Sequence, residues 1–469
     1  MQAIAAPCGS IGSREEMRAT DLHLGGLTRR PQPAVGLRPT VLFALAASLT
    51  LAYLLFAVWV SDDWRSDLEQ ELGPVAGWVI PIFLAYIPSV VIGFLLATLV
   101  LTRYRRTELD TPEGGWPAVT VMIAAWNEEA AIGATLERIA GAGYPGELEV
   151  VLADNNSIDR TAAIAQQTAE RVGLRYRRVV ETVPGKHHAL NAALATATTP
   201  VVITVDADTL LHRDSLAYLV AAVSRRPQGQ HVCACAGALF AQDETRNLVT
   251  KMQGWDYCLG INGVKRMQAA YNSTLVAQGA FSAYWTEDIK AVGGWPDAIG
   301  EDIVLTWNLM GERGIVRYEP LAVAFTAVPE KLSPLLTQRS RWARGMFEGL
   351  RANPPHRQPR VLAKFVAGID YLVPFLDVGV IFFWVPGVIL FLLGNPIIFG
   401  WWSMLVIPAT LVIFGLMRRW QERHVFRRLD IERRHGGYLG YLLGYQVLLS
   451  AAALRGYAQY ATGRGRRWR

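Results

Sequence analysis

Lysine is scarce, with six among the 46 lysines and arginines, and the basic residues do not alternate with aromatics. The net charge of +6 is therefore not read as a nucleic-acid surface, and no nucleic-acid partner is expected. Four cysteines, Cys8, Cys233, Cys235 and Cys258, have neither the spacing of a disulfide framework nor paired C-x-x-C spacing, so they are read as reduced thiols. Cys233 and Cys235, two apart, are expected on one face of a strand as small buried residues rather than metal ligands. Charge is sparse as well: 18% of residues are charged and 51% are hydrophobic, which excludes a disordered or fibrous chain. The apolar excess is not spread evenly, as a soluble enzyme would require. It is gathered into long runs at 39–60, 77–102, 369–393 and 397–417, as in an integral membrane protein with a large polar middle.

Pro39–Val60 has the roughly 20 apolar residues that a bilayer core needs, without an internal charge. It begins too late and lacks the cleavage site of a signal peptide, so it is expected to be an uncleaved anchor. Arg14, Arg18, Arg29, Arg30 and Arg38 precede it, while Asp62, Asp63, Asp67, Glu69 and Glu71 follow. That asymmetry sets the N-terminus in the cytoplasm, and the second run, Gly77–Thr102, returns to Arg103, Arg105 and Arg106 on the same side. The expected organisation is a cytoplasmic tail (1–38), a transmembrane hairpin (39–106), a cytoplasmic domain with interfacial helices (107–360) and a C-terminal transmembrane or interfacial region (361–469). Val361–Leu393 and Ile397–Met417 supply spans there; Arg418–His435 is basic and cytoplasmic; Tyr438–Leu454 reads equally as a span or as a re-entrant or interfacial helix. Asp370 and Asp377, seven apart, would share a helical face, either lining a cavity or with Asp370 among headgroups and Asp377 paired to a neighbouring helix.

The middle has an α/β rhythm. Strands are expected at Val119–Ala125, Leu148–Ala153, Arg175–Val180 and Pro200–Val205, with helices at Glu128–Ala140, Asp159–Val172 and His188–Ala195 between them. Alternation of this kind implies a parallel sheet, whose ligands bind at the carboxyl ends of its strands.

Polar residues cluster at those ends. Asp206-Ala-Asp208 closes a hydrophobic strand and suits a hard divalent cation, Mg²⁺ or Mn²⁺, carrying a diphosphate, although D-x-D alone often marks a solvated turn. Asn127 and Glu128 close the first strand and Asp154 the second, together a nucleotide pocket, though each is also an ordinary turn residue. Lys186, in Pro184-Gly185-Lys186, brings a cation near the phosphates. Glu301 and Asp302 open a helix, either complementing its dipole or, for Asp302, acting as a general base. Gln338, Arg341 and Trp342 share one short helix and suit either lipid headgroups or a leaving diphosphate.

In this order, Asp154, Asp206-Ala-Asp208, Gly300-Glu-Asp302 and Gln338-x-x-Arg341-Trp342, set between apolar runs, resemble the processive family 2 glycosyltransferases that make cellulose, chitin, hyaluronan and poly-N-acetylglucosamine. Within that family, Gly263–Asn272, Tyr318-Glu-Pro320, Pro329-Glu330 and Gln338–Gly345 look most like the bacterial poly-β-1,6-N-acetylglucosamine synthases. The resemblance covers roughly 115–350. It implies an α/β GT-A (nucleotide-sugar-binding) cytoplasmic domain combined with an α-helical transmembrane region. By it, Asp154 would bind uridine, Asp206 and Asp208 the metal and diphosphate, and Asp302 would deprotonate the acceptor; Gln338, Arg341 and Trp342 would hold the acceptor end and diphosphate. The implied partners are a UDP-sugar donor, the growing polysaccharide and the lipid bilayer of the inner (plasma) membrane, with a small membrane accessory subunit left open. Gly300 replaces the usual threonine, Asn155-Asn156 replace a second acid and glycine, and no cytoplasmic domain is expected after the last apolar segments. A non-processive family 2 enzyme glycosylating a lipid once, and a transporter with a degenerate domain, are the rival readings.

Overall fold

Every side chain along Val119–Ala125 (β1) except Ala124 is buried, because the strand is covered on both faces and flanked by strands on both edges. The computed structural model describes residues 37–102, 109–225, 229–399, 406–432 and 436–463. Beside β1 lie Leu148–Asp154 (β2), Arg175–Val180 (β3) and Val201–Asp206 (β4), all parallel. The helices Ile132–Ala140, Thr161–Val172 and Lys186–Thr196 connect them, as the alternation predicts.

The sheet is not parallel throughout. Thr209–Leu211 (β5) follows β4 after only two residues, far short of the dozen or so that a parallel crossover needs. With Val232–Ala241 (β6), Phe281–Trp285 (β7) and Ile315–Thr326 (β8), the eight strands take the order β3-β2-β1-β4-β7-β6-β8-β5. β7 is antiparallel to β4 and β6, whereas β6 and β8 are mutually parallel. β6 and β8 therefore run in the sense of β4 and end at the same edge. Cys233 and Cys235 are buried thiols, as expected, but they face different cores, because the β6 register shifts between Val232 and Ala234. Cys8 lies outside the described residues.

Among the described residues, three helices are long and apolar enough to cross a membrane: Pro39–Val60, Pro74–Leu101 and Val361–Leu392. At 1.5 Å per residue the first is about 33 Å long, the thickness of a bilayer core. Residues 400–405 of the expected fourth run lie outside the described residues; the helix described there is Val406–Gln421. Arg14, Arg18, Arg29, Arg30, Arg103, Arg105 and Arg106, on which the sidedness argument leans, also lie outside them. The hairpin is joined to the domain by Thr98 and Tyr271, whose hydroxyls are 2.6 Å apart, and by Phe94 stacked on Tyr271 at 5.4 Å.

The segment carrying Gln338 is longer than expected, a 21-residue helix, Leu332–Ala352, here called the interface helix. It is packed on one side by the helix Glu301–Gly311 and on the other by the C-terminal helix Gln446–Ala461, through Ser340 to Gln459 and Phe347 against Tyr457. The third span is interrupted between Asp370 and Val373, since Pro374 has no N–H to offer the Asp370 carbonyl. The two aspartates are thus separated by a turn. Asp377 accepts hydrogen bonds from the Ser450 (2.7 Å) and Tyr457 (2.6 Å) hydroxyls, the expected pairing with a neighbouring helix. Asp377→Ala leaves both hydroxyls without that acceptor and is expected to lower stability by about 1–3 kcal/mol. The measurement is the unfolding midpoint of detergent-solubilised protein; an unchanged midpoint would show that the pairing holds nothing together.

Candidate active site

The carboxyl edge of the sheet is closed by two laced loops. Asn127 adopts φ +58°, which asparagine tolerates, and its N–H donates to Ser157 Oγ (3.0 Å) while its Oδ1 accepts from the Ile158 N–H (2.9 Å). Glu128 donates its N–H to Thr161 Oγ1 (2.7 Å). Asn127 is thus occupied in holding the loop, and Glu128 keeps its half-buried carboxyl beside the strand ends.

Asp154 is fully buried. Its Oδ1 accepts from the Ser157 N–H (2.9 Å) and its Oδ2 from Arg178, through Nε at 2.9 Å and through Nη2. A fork of this kind fixes the guanidinium plane, and the Arg178 side chain is 41% exposed, so it carries a positive charge from β3 into the cleft. Asn155 is the other residue that motif reading passed over. Its amide nitrogen donates to the Glu181 (3.0 Å) and Val183 (2.7 Å) carbonyls, and its Oδ1 accepts from the Gly185 N–H (2.8 Å), which sets the loop before Lys186.

Lys186 stands at the centre. Its ammonium lies 2.6 Å from Asp206 Oδ1 and 3.5 Å from Glu301 Oε1. Burial alone would lower its pKa, but the charges of Asp206 and Glu301 outweigh that and raise it. A Cβ on Gly279 would stand 2.8 Å from this nitrogen and would displace the ammonium from its present place. The Gly279 N–H donates to Asp302 Oδ2 (3.1 Å), and Asp302 Oδ1 accepts from the Ile303 N–H (2.8 Å). Asp206, Glu301 and Asp302, distant in sequence, are brought together as expected. The acidic pair also opens the helix Glu301–Gly311, at the positive end of its dipole.

Crowding of like charges shows in the acids. Burial, then the charges of Asp208, Asp206 and Asp159, pushes the Glu128 carboxyl up to about 7. Burial and then Asp206 push Asp208 up to about 6, against a smaller opposing effect of Lys186. Burial takes Glu301 to about 7, with Lys186 opposing and Asp302 reinforcing.

On the interface helix, Trp342 is 40% exposed and Gln338 turns a buried Oε1 inward without a hydrogen-bond partner among the described residues. Between them lies Arg339, which the Gln-x-x-Arg-Trp pattern skips. Its guanidinium is 4.1 Å over the Trp342 ring, pairs with buried Asp256 at 2.8 Å, and donates to Tyr445 OH (3.2 Å). Trp342 is therefore held from behind by a buried cation. No sequence signal joins Asp256 to Arg339, since only the fold makes them neighbours.

The raised acids imply a pH dependence. Glu128, Asp208 and Glu301 still hold protons when folded at a pH where the unfolded groups, at 4.5, 3.8 and 4.5, have lost them. These groups therefore contribute less stability as pH rises from about 4 through about 7. Asp208→Asn removes one of the charges and is expected to flatten that fall, read as unfolding midpoints in EDTA from pH 4.5 to 8. Superimposable profiles for the two proteins would contradict it.

Residues 117–345 match the family model described as "Glycosyltransferase like family 2". The poly-beta-1,6-N-acetyl-D-glucosamine synthase of Staphylococcus epidermidis is 29% identical over 236 residues, covering 50% of this chain and 55% of that protein. The synthase of the same name from Staphylococcus aureus (strain COL) is 30% identical over the same shares. The chain thus spans about half the length of the curated relatives it matches. Among solved structures, a mannosyltransferase from Pyrobaculum calidifontis in complex with GDP-Man and Mn²⁺ aligns with a TM-score of 0.52 at 20% identity, over 92% of this chain and all of that one, a likeness of fold alone. Sheet, strand-end acids and relatives agree, and the central domain, residues 117–345, belongs to glycosyltransferase family 2 and carries its GT-A-like α/β fold.

Proposed function

We propose that this chain is a membrane-embedded, processive, inverting glycosyltransferase that polymerises a UDP-sugar, UDP-N-acetylglucosamine, into a β-linked polysaccharide. Its catalytic domain faces the cytoplasm and synthesis is coupled to export. The observation that carries the reading is the meeting of Lys186, Asp206 and Glu301 next to Asp302, on a loop packed against the helix of Gln338, Arg341 and Trp342. The names of the staphylococcal relatives support the choice of sugar.

Asp302 accepts the proton of the acceptor hydroxyl as its oxygen bonds to the anomeric carbon and the bond to the diphosphate breaks; a single displacement inverts the configuration. No second carboxylate is assigned as a covalent nucleophile. Lys186 and Arg341 meet the negative charge that grows on the leaving UDP, which stabilises the transition state more than the ground state. Arg178, fixed by Asp154, and the loop of Asn127 and Glu128 frame the nucleoside. Trp342 and Gln338 hold the sugar end of the acceptor.

The residues fit a hard divalent cation, Mg²⁺ or Mn²⁺. Asp206 and Asp208 are oxygen donors crowded by Glu128, a mutual repulsion that a cation relieves. Among the described residues no three acidic, histidine or cysteine side chains form a complete metal cluster, so diphosphate oxygens would fill out the set. Bound there, the ion would neutralise charge on the leaving diphosphate.

The test is UDP release by purified protein offered UDP-N-acetylglucosamine, UDP-glucose or UDP-glucuronate with Mg²⁺ or Mn²⁺, followed by digestion of the product with linkage-specific hydrolases. The first donor should give polymer cut by a β-1,6-N-acetylglucosaminidase. Asp302→Asn should lower kcat by about 10²–10⁴-fold while UDP-sugar binding persists. Turnover undiminished in EDTA or in Asp302→Asn would overturn the mechanism, a single sugar added to lipid would replace polymerisation, and polymer from another donor would replace the sugar.

In sealed vesicles with outward-facing catalytic domains, polymer is expected inside, protected from added hydrolase. Fully digestible polymer would remove export from the reading.

A further inference from the structure

Asp302 is one residue from the start of its helix, and the loop before it is held from outside. The Ile299 N–H and Gly300 N–H both donate to Glu348 Oε2, at 2.8 and 3.2 Å. The other oxygen, Glu348 Oε1, accepts from Arg344 Nε at 3.1 Å. Glu348 lies on the interface helix, six residues beyond Trp342, with its side chain 16% exposed. Gly300 is the helix N-cap, and a carboxylate from another helix accepts its N–H and that of Ile299 before it; the negative charge also suits the positive end of the dipole.

The contact is close because two glycines meet. A Cβ on Gly300 would stand 2.6 Å from Gly345 Cα, and one on Gly345 would stand 2.8 Å from Gly300 Cα. The threonine that the family resemblance leads one to expect at position 300 would force the helices apart. The interface helix therefore presents Gln338, Arg341 and Trp342 to the acceptor and, a few residues later, holds the loop that sets Asp302.

We propose that Glu348 is a positioning residue, which fixes the Asp302 carboxylate relative to the acceptor end by hydrogen-bonding the Ile299 and Gly300 amides. The inference rests on the reading of Asp302 as the acceptor's base, but not on which sugar is transferred. The hydrogen bonds of Glu348 go to Ile299, Gly300 and Arg344 and not to Lys186, Asp206 or Asp208, so its loss is expected to act on the chemical step and not on capture of the UDP-sugar. A displacement of about 1 Å in a reacting group costs on the order of 10²-fold in rate.

The experiment uses the full chain in detergent, with Glu348→Ala and Glu348→Gln beside wild type. Initial rates of UDP release are measured with whichever UDP-sugar wild type turns over, and amide hydrogen exchange over residues 297–303 is followed by mass spectrometry without ligand. Glu348→Ala should lose about 10–100-fold in kcat at unchanged donor KM and exchange that segment at least ten times faster, with the rest of the domain unaltered. Glu348→Gln, whose amide oxygen still accepts both N–H groups, should recover most of kcat and of the protection. Unchanged exchange in Glu348→Ala, a rise in donor KM that accounts for the loss, or equal losses in Ala and Gln would each overturn the proposal. Should wild type release no UDP from any donor, the functional reading fails, and the exchange result alone still decides whether Glu348 holds the loop.

Discussion

A lysine ammonium with carboxylates on two sides, Lys186 between Asp206 and Glu301, is the contact on which the site depends. Taking an ammonium out of water costs several kcal/mol, which only close, opposite charge repays. Asp206 ends a parallel strand of the first half of the sheet, while Glu301 opens a helix of the second half, so the ion pair ties the parallel half to the half that carries Asp302. Around Lys186 at the sheet edge the carboxyls of Glu128, Asp206, Asp208, Glu301 and Asp302 crowd one another. A diphosphate approaching that edge is repelled unless a second cation comes with it, and this is the physical case for a divalent ion.

The apolar region is joined to this chemistry by few polar contacts. The Thr98 and Tyr271 hydroxyls join the hairpin to the domain, and Asp377 is gripped by Ser450 and Tyr457 of the C-terminal helix. That helix in turn lies along the interface helix, where Tyr445 reaches Arg339 beneath Trp342. Packed helices thus connect the apolar region to Trp342.

Much of the first half was legible because its strands are short apolar runs closed by polar turn residues. β1 and β3 fall where patterning puts them, β2 runs one residue further, and β4 is shifted by one residue at each end. The second half was not legible. β6, β7 and β8 are separated by helices of irregular length, and their mixed parallel and antiparallel pairing follows from contacts between distant segments. In the site, motif order singles out Lys186, Asp206, Glu301 and Asp302, which meet at the strand ends, and also Asp154 and Asn127, whose side chains are taken up by Arg178 and by the loops. The residues that hold the motif side chains, Arg178 behind Asp154, Asn155 behind Lys186, Arg339 behind Trp342 and Glu348 behind Asp302, are ordinary polar residues whose partners lie 24 to 106 positions away or, for Asn155 and Glu348, on loops whose course the sequence does not show.

The central claim is that the acids at the sheet edge hold a divalent cation only together with a diphosphate. Electron paramagnetic resonance of Mn²⁺ titrated into the purified protein tests it most directly. The account predicts weak binding by the protein alone, and with UDP one tightly bound Mn²⁺ showing ³¹P hyperfine coupling, lost in the Asp206→Asn, Asp208→Asn double variant. Equal binding by wild type and double variant, or a bound ion without phosphorus coupling in the presence of UDP, would contradict it.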